Sequence, residues 1–316
     1  MNNTKTQLSW CEKISNKPTF QYIKTHYILY IMLILPIAYY IIFHYMPMSG
    51  IIVAFKDFSI KKGIFGSPWC GFEIYERLFN TSLFLRAIRN TLVINVLGLV
   101  IGFPAPIILA LLLNELRNGL FKKSMQTILY LPHFLSWVVI GGMAVQIFAT
   151  ESGIINNVLS TLGFEKIPFL SSNISWIGTY IGVGIWQSIG WGAIVYMSAM
   201  TGIDAEQYEA AEIDGCSRFK LMYKITLPNI APTIIIMLIL KIGAIASIGF
   251  EQPLMMSNSM VTDVSSVLST YSYVVGIQQG HYNTATAIGL FQSIINFALL
   301  LSANQISKKI TGSAIW

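Results

Sequence analysis

TLVINVLGLVIGFPAPIILALLL, residues 91–113, runs for 23 residues without a charged side chain. About 20 helical residues cross a bilayer core of ~30 Å. Inside that core every backbone N–H and C=O must find its partner within the protein, which leaves only helices or closed barrels. The run is too long and continuous for a barrel strand, so it predicts a membrane-spanning helix with Pro104 and Pro106 inside it. Five more runs read the same way: about Tyr27–Tyr45, which contains Pro36, then Thr127–Ala149, Trp176–Met200, Pro232–Phe250 and Thr284–Ala303. The 316 residues are 54% hydrophobic and 11% charged, against ~25% charged in soluble domains. The expected fold class is therefore all-α: a polytopic membrane bundle of six transmembrane helices.

Lysine and arginine placement orients the bundle, because they accumulate on the cytoplasmic side. With the N-terminus inside, cytoplasmic segments hold twelve: Lys5, Lys13, Lys17, Lys24, Arg117, Lys122, Lys123, Arg218, Lys220, Lys224, Lys308 and Lys309. External segments hold seven: Lys56, Lys61, Lys62, Arg77, Arg86, Arg89 and Lys166. The net charge of +6 is assigned to this flanking role rather than to nucleic acid. Cys11, Cys70 and Cys216 are far apart, with Cys70 expected outside and the others inside, so neither a disulfide nor a metal site is expected. His26, His44, His133 and His281 lack ligand spacing. Residues 1–26 are polar and the next run reaches spanning length, so a cytoplasmic tail and an uncleaved first span are expected rather than a signal peptide. The loop at about 46–90 carries Gly63, Gly66, Pro68 and Gly71 among aromatics and predicts a compact lid or an approach to the second span. In the last external loop Val264, Val267, Leu268, Tyr271 and Val275 recur at helical spacing. They predict a helix lying at the outer interface, or one that covers the bundle.

Between the fourth and fifth runs lies a polar stretch of different design. Asp204 can cap a helix, with Gln207 three residues later in capping-box position. Glu206 and Glu209 suit the positive end of that helix. Ala205, Ala210 and Ala211 keep its surface small. Gly215 suits a helix stop, Ser217 can cap a second short helix, and Leu227-Pro228 should close that one. The sum is a helix–turn–helix with exposed acidic groups, built to dock on a soluble partner.

Glu209-Ala-Ala, three residues, Gly215, nine residues, then Ile225-x-Leu-Pro228 resembles the cytoplasmic coupling loop of inner-membrane permeases of binding-protein-dependent ABC importers. Phe43-His-Tyr-Met-Pro47, Gly63-Ile-Phe-Gly-Ser-Pro-Trp69, Leu131-Pro-His-Phe134 and Ala285-Thr-Ala-Ile-Gly-Leu-Phe291 resemble the carbohydrate branch, of oligosaccharide and polysaccharide type. The likeness covers about residues 25–310. It implies a tail at 1–26, a first span with external loop at 27–86, a permease domain at 87–305 and a tail at 306–316. It implies a bacterial inner-membrane location with both termini cytoplasmic. It further implies that Glu209, Ala210, Ala211, Asp214, Gly215, Ile225, Leu227 and Pro228 couple the chain to a cytoplasmic ATPase, with Glu209 pairing a basic group there. The implied partners are a homologous permease forming a heterodimer, two copies of that ATPase and an external solute-binding protein. Mg-ATP would bind in the ATPase and no cofactor in this chain.

The chain itself shows no Gly-x-x-x-x-Gly-Lys-Ser/Thr loop, no Gly-x-Ser-x-Gly and no His-Glu-x-x-His. No enzymatic role, catalytic residue or metal is therefore expected. For the substrate pathway the candidates are Trp186, Gln187 and Trp191 on the fourth run, Lys241 in mid-span of the fifth, and Glu251 and Gln252 at its outer end. Sugars are held by polar groups and stacked on aromatic faces, although each of these side chains also suits packing. Lys241 is costly in lipid and should face a partner or a wet pathway. His133 should be a packed, hydrogen-bonded histidine or a gate. Gly178 and Gly182 form a Gly-x-x-x-Gly pair suited to packing within the chain or against a second permease. Two other functions fit a membrane bundle: a permease for peptides or another small solute, and an ion-coupled secondary carrier. Only Lys241 and Glu251 lie in or beside the last two spans, which gives little basis for a proton relay. A membrane-embedded hydrolase is disfavoured by the missing motifs.

Overall fold

The computed structural model of the chain describes residues 22–23, 25–116, 119–312 and 314–315. Cys11, Lys5, Lys13, Lys17, Lys24 and Arg117 lie outside the described residues. Helices form nearly all of the regular structure: α1 Tyr27–Phe55, α2 Glu73–Phe79, α3 Ser82–Glu115, α4 Leu120–Phe134, α5 Trp137–Phe148, α6 Ile154–Thr161, α7 Asn173–Met200, α8 Ala205–Ile213, α9 Arg218–Gly243, α10 Glu251–Met256, α11 Leu268–Tyr273 and α12 Tyr282–Thr311. Among the described residues the one β-contact is an isolated antiparallel bridge between Lys56 and Trp69, which ties the 56–71 loop into a compact hairpin.

By length and apolar character α1, α3, α9 and α12 can each cross a membrane. The third expected span is not one straight helix. It breaks between α4 and α5 with a bend of 103°. Pro132 lies in a tight 3₁₀ turn, Leu131–Phe134, and the Ser136 hydroxyl then caps α5 by accepting from the Val139 N–H. The fourth segment, α7, is long enough at 28 residues but is less apolar, with Asn173, Ser175, Thr179, Gln187, Ser188 and Ser198 along it. Ten of its residues are buried. It is the central helix, packed on α3, α4, α9 and the 262–265 turn, with Thr179 and Gln187 buried against protein and Asn173, Ser188 and Ser198 exposed. In contrast, Tyr27–Tyr40 of α1 buries no side chain within the chain.

Three apolar clusters hold the bundle. Trp176, fully buried, centres the first with Ile140, Tyr180 and Val267, and its indole N–H donates to the Met256 carbonyl at 2.8 Å. Phe84, Leu268 and Ile288 centre the second, which joins α3, α11 and α12. Ile107, Tyr196 and Ile230 centre the third, where α3, α7 and α9 meet.

The fifth expected span also ends early. α9 stops at Gly243, and 244–250 is irregular. Unpaired backbone is not tolerated in lipid, and three side chains answer it. Asn95 Nδ2 donates to the Ile245 and Ser247 carbonyls, Gln292 Nε2 to the Ala246 carbonyl, and Asn296 Oδ1 accepts from the Ala246 N–H. Lys241 is thus in the last turn of α9 rather than in mid-helix, and Glu251 starts a separate helix. The expected helix through Val264–Val275 is interrupted as well. The chain extends at Ser266 and Val267 before α11, and Val267, Leu268 and Val275 are buried. That segment packs into the bundle instead of lying on its surface.

Candidate functional site

The polar hairpin folds as two helices set on the bundle. The Asp204 side chain caps α8, accepting from the Glu206 N–H at 3.1 Å. The reciprocal half of the expected capping box is absent, because Gln207 Oε1 instead accepts from Asn229 Nδ2 at 2.9 Å. At the other end Gly215 adopts φ +72°. The Cys216 N–H bonds the Ala211 carbonyl and the Gly215 N–H bonds the Glu212 carbonyl, both at 3.0 Å. That pair of bonds is a Schellman stop, which requires a left-handed residue after the helix. No side-chain cap forms at Ser217.

Leu227-Pro228 does not close the second helix. Arg218 to Gly243 is one helix of 26 residues, with a π-helical turn at Met222–Thr226 just ahead of the proline. Proline lacks an N–H and clashes with the carbonyl four residues earlier; the wider turn absorbs both faults. Asn229 Nδ2 donates to the Ile225 carbonyl at 2.8 Å. The foot of the hairpin is therefore the first turns of α9 itself.

Two side-chain bonds lock α8 to α9. One is Asn229 to Gln207. The other joins the Tyr208 and Thr226 hydroxyls at 2.9 Å, with Thr226 buried. A push on α8 is thus delivered to α9, a helix about 39 Å long that packs along α12 and touches α7. Tyr208, Thr226 and Asn229 were not singled out from sequence; the only signal is that Thr226 sits inside, and Asn229 just after, the Ile225-x-Leu-Pro228 motif.

Of the eight coupling candidates, Glu209, Ala210, Asp214, Gly215 and Pro228 are exposed. Ala211, Ile225 and Leu227 are half-buried, and Leu227 packs against the Tyr196–Ile230 cluster. The hairpin therefore has an inner face that seats it and an outer face that is free. On the free side stand Glu206, Glu209, Glu212 and Asp214, with Ile213 87%, Phe219 79% and Tyr223 72% exposed. Acid groups on α8 and the exposed Arg218, Lys220 and Lys224 beside Phe219 and Tyr223 surround large apolar side chains, the kind of patch that marks an interaction surface.

The six pathway candidates are not gathered into one cavity. Gln187 is buried and its Nε2 donates to the His133 carbonyl at 3.4 Å. Gln252 Nε2 donates to the Tyr180 carbonyl at 2.8 Å. Both glutamines act as ties between elements. Trp191 stacks on His133 at the α4–α5 break, with ring centroids 4.6 Å apart, and His133 Nδ1 is buried without the hydrogen bond expected of it. Trp186 borders an apolar cavity of about 250 Å³ between α5 and α7. Lys241 and Glu251 are exposed and form no ion pair with one another. A Cβ at Gly178 or Gly182 would meet nothing within 4 Å, so neither serves a close approach within the chain, whereas Gly190 lies directly against the Leu129 carbonyl.

At the end of the bundle opposite the hairpin lies a polar cavity that sequence reading did not single out. Arg86 and Arg89, three residues apart on one face of α3, meet Asp263 from the loop before α11.

Residues 102–312 match the family described as binding-protein-dependent transport system inner membrane component. The chain is 44% identical over 282 residues to protein LplB of Bacillus subtilis strain 168, covering 89% of this chain and 88% of that one. It is 40% identical over 288 residues to the polygalacturonan/rhamnogalacturonan transport system permease protein YteP of the same organism, with 91% and 90% covered. Among solved structures, a bacterial ABC transporter involved in the import of the acidic polysaccharide alginate superposes with TM-score 0.84 at 38% identity, covering 93% of this chain and all of that one. The bacterial alginate ABC transporter in complex with an alginate pentasaccharide-bound periplasmic protein gives 0.85 at 36% identity, with 95% and 100% covered. This chain belongs to the family of binding-protein-dependent transport system inner membrane components, and its hairpin, long helices and central α7 are the parts of a type I ABC permease.

Proposed function

We propose that this permease carries a carbohydrate oligomer inward across a bacterial inner membrane as one half of a paired permease core. The hairpin faces the cytoplasm and seats in a cleft of an ABC ATPase, which binds Mg-ATP and supplies the energy. A solute-binding protein delivers the sugar to the opposite end. The observation that carries this reading is the latch of α8 onto α9. An exposed acidic and aromatic surface is joined by Tyr208–Thr226 and Gln207–Asn229 to a helix that runs into the bundle. A rigid surface of that kind converts motion of a docked partner into helix motion. The carbohydrate half is supported by relatives whose names or titles include polygalacturonan, rhamnogalacturonan and alginate. Trp186, Trp191, Lys241 and Glu251, all exposed, remain proposed pathway groups, turned toward the second permease. Gly178 and Gly182, open on this chain, offer that neighbour a close approach.

The test is uptake of oligosaccharide into proteoliposomes holding the complete complex. ATP inside and loaded binding protein outside should both be required, and Glu209→Lys should abolish uptake while the subunits still assemble. Uptake driven by an ion gradient without ATP would establish a secondary carrier instead, and competition by peptides but not sugars would reassign the solute.

A further inference from the structure

The end of α3 far from the hairpin and the start of α7 border an open cavity of about 540 Å³, lined by buried Asn90, half-buried Arg86 and exposed Arg89, Asn173 and Asp263. That size lies within the ~300–1,000 Å³ of small-molecule pockets. Two guanidinium groups face one carboxylate there, so the cavity carries a surplus positive charge. The carboxylate is already engaged: Asp263 Oδ1 accepts from Arg86 Nη1 at 2.5 Å. Its backbone carbonyl accepts from Arg89 Nη2 at 3.0 Å and from Asn90 Nδ2 at 2.9 Å.

Arg89 is positioned only by neutral groups. Besides that carbonyl, its Nε and Nη2 donate to Asn90 Oδ1 at 3.3 and 3.1 Å. Asn90 is itself buried and fixed by a second bond to the Ser266 carbonyl at 2.9 Å. Among the described residues Arg89 forms no ion pair, and its Nη1 keeps both N–H donors free. A guanidinium held by one edge and open at the other is prepared for an anion. The start of α7 adds to the field. Asn173 is its first residue, and the Ser172 side chain makes no cap bond, so first-turn N–H groups and the positive end of a 28-residue helix lie at the cavity. Asn173 also brings a free amide for sugar hydroxyls, and Ile94 and Ile177 give apolar walls for C–H faces.

We infer that this cavity binds the carboxylate of a uronate residue in an acidic oligosaccharide, with Arg89 reading the charge and Asn90 positioning Arg89. The inference rests on the carbohydrate-import reading above and narrows it to anionic sugars.

The complete transporter with its binding protein, in proteoliposomes, tests this with trigalacturonate and trimannuronate against their neutral methyl esters. Arg89→Gln is expected to lower uptake of the acids by about 10-fold or more at limiting concentration, while ester uptake changes by less than about 2-fold. Arg89→Lys should recover part of the loss, because it restores charge without the fork. Equal losses for acid and ester, or no loss for either, would overturn the site. Weaker binding of the binding protein whatever its cargo would make the cavity a protein-docking surface and overturn it too. Wild-type transport of the neutral sugars alone would remove the anion site and leave carbohydrate import standing. Wild-type transport of peptides and no sugar would remove both.

Discussion

Gly215 is held at φ +72° with open space where a Cβ would go, so glycine is needed there for its backbone conformation and not because of crowding. Gly215→Ala should cost about 1–2 kcal/mol locally and loosen the Schellman stop. The expected outcome is faster amide exchange over 211–216 with the bundle unchanged. Tyr208 and Thr226 share one hydroxyl bond, with Thr226 buried and Tyr208 half-buried. Tyr208→Phe and Thr226→Val should each lose about 0.5–1.5 kcal/mol. A double-mutant cycle on thermal unfolding of the complex should show them coupled, since each removes the same bond. If the latch transmits force, both variants also keep ATPase activity while losing uptake.

At the scale of elements, contacts across α7 and α9 separate packing from assembly. A Cβ on Gly190 would lie 2.0 Å from the Leu129 carbonyl oxygen, against rigid backbone of α4. Gly190→Ala should therefore prevent normal folding of the single chain, read as loss of the protein from the membrane fraction. Gly182→Ala meets nothing within 4 Å and should leave the chain folded; pairing with a second permease is where its effect should appear, read by co-purification. The break after α9 gives a third case. Asn95→Ala removes both donors to the Ile245 and Ser247 carbonyls, at a cost of about 1–3 kcal/mol for groups left unsatisfied.

For the whole molecule, the two ends of the bundle should face opposite sides of the membrane. Phe65 in the 56–71 hairpin is 95% exposed and Ile213 in the coupling hairpin 87%. In a background without native cysteines, Phe65→Cys should react with an impermeant maleimide in intact cells. Ile213→Cys should react only after permeabilisation. The reverse pattern would put the hairpin out of reach of any cytoplasmic ATPase.

Length and charge alone settled the membrane class. A 23-residue apolar run such as 91–113 has one stable arrangement in lipid, and Glu209-Ala-Ala with Gly215 names its own turn, because only a left-handed residue closes that helix end. Where local signals compete, the chain alone misleads. Leu227-Pro228 reads as a stop, yet a π-helical turn carries the helix through it, and Leu227 and Ile230 beyond that turn pack into the cluster where α3, α7 and α9 meet. Lys241 and Glu251 fall within and beside one apolar run, yet the helix ends between them because Asn95, Gln292 and Asn296, from two distant helices, satisfy the broken backbone. The arginine cavity was hidden for the same reason: Arg89 and Asp263 are 174 residues apart, and only the folded bundle decides that their charges share one space.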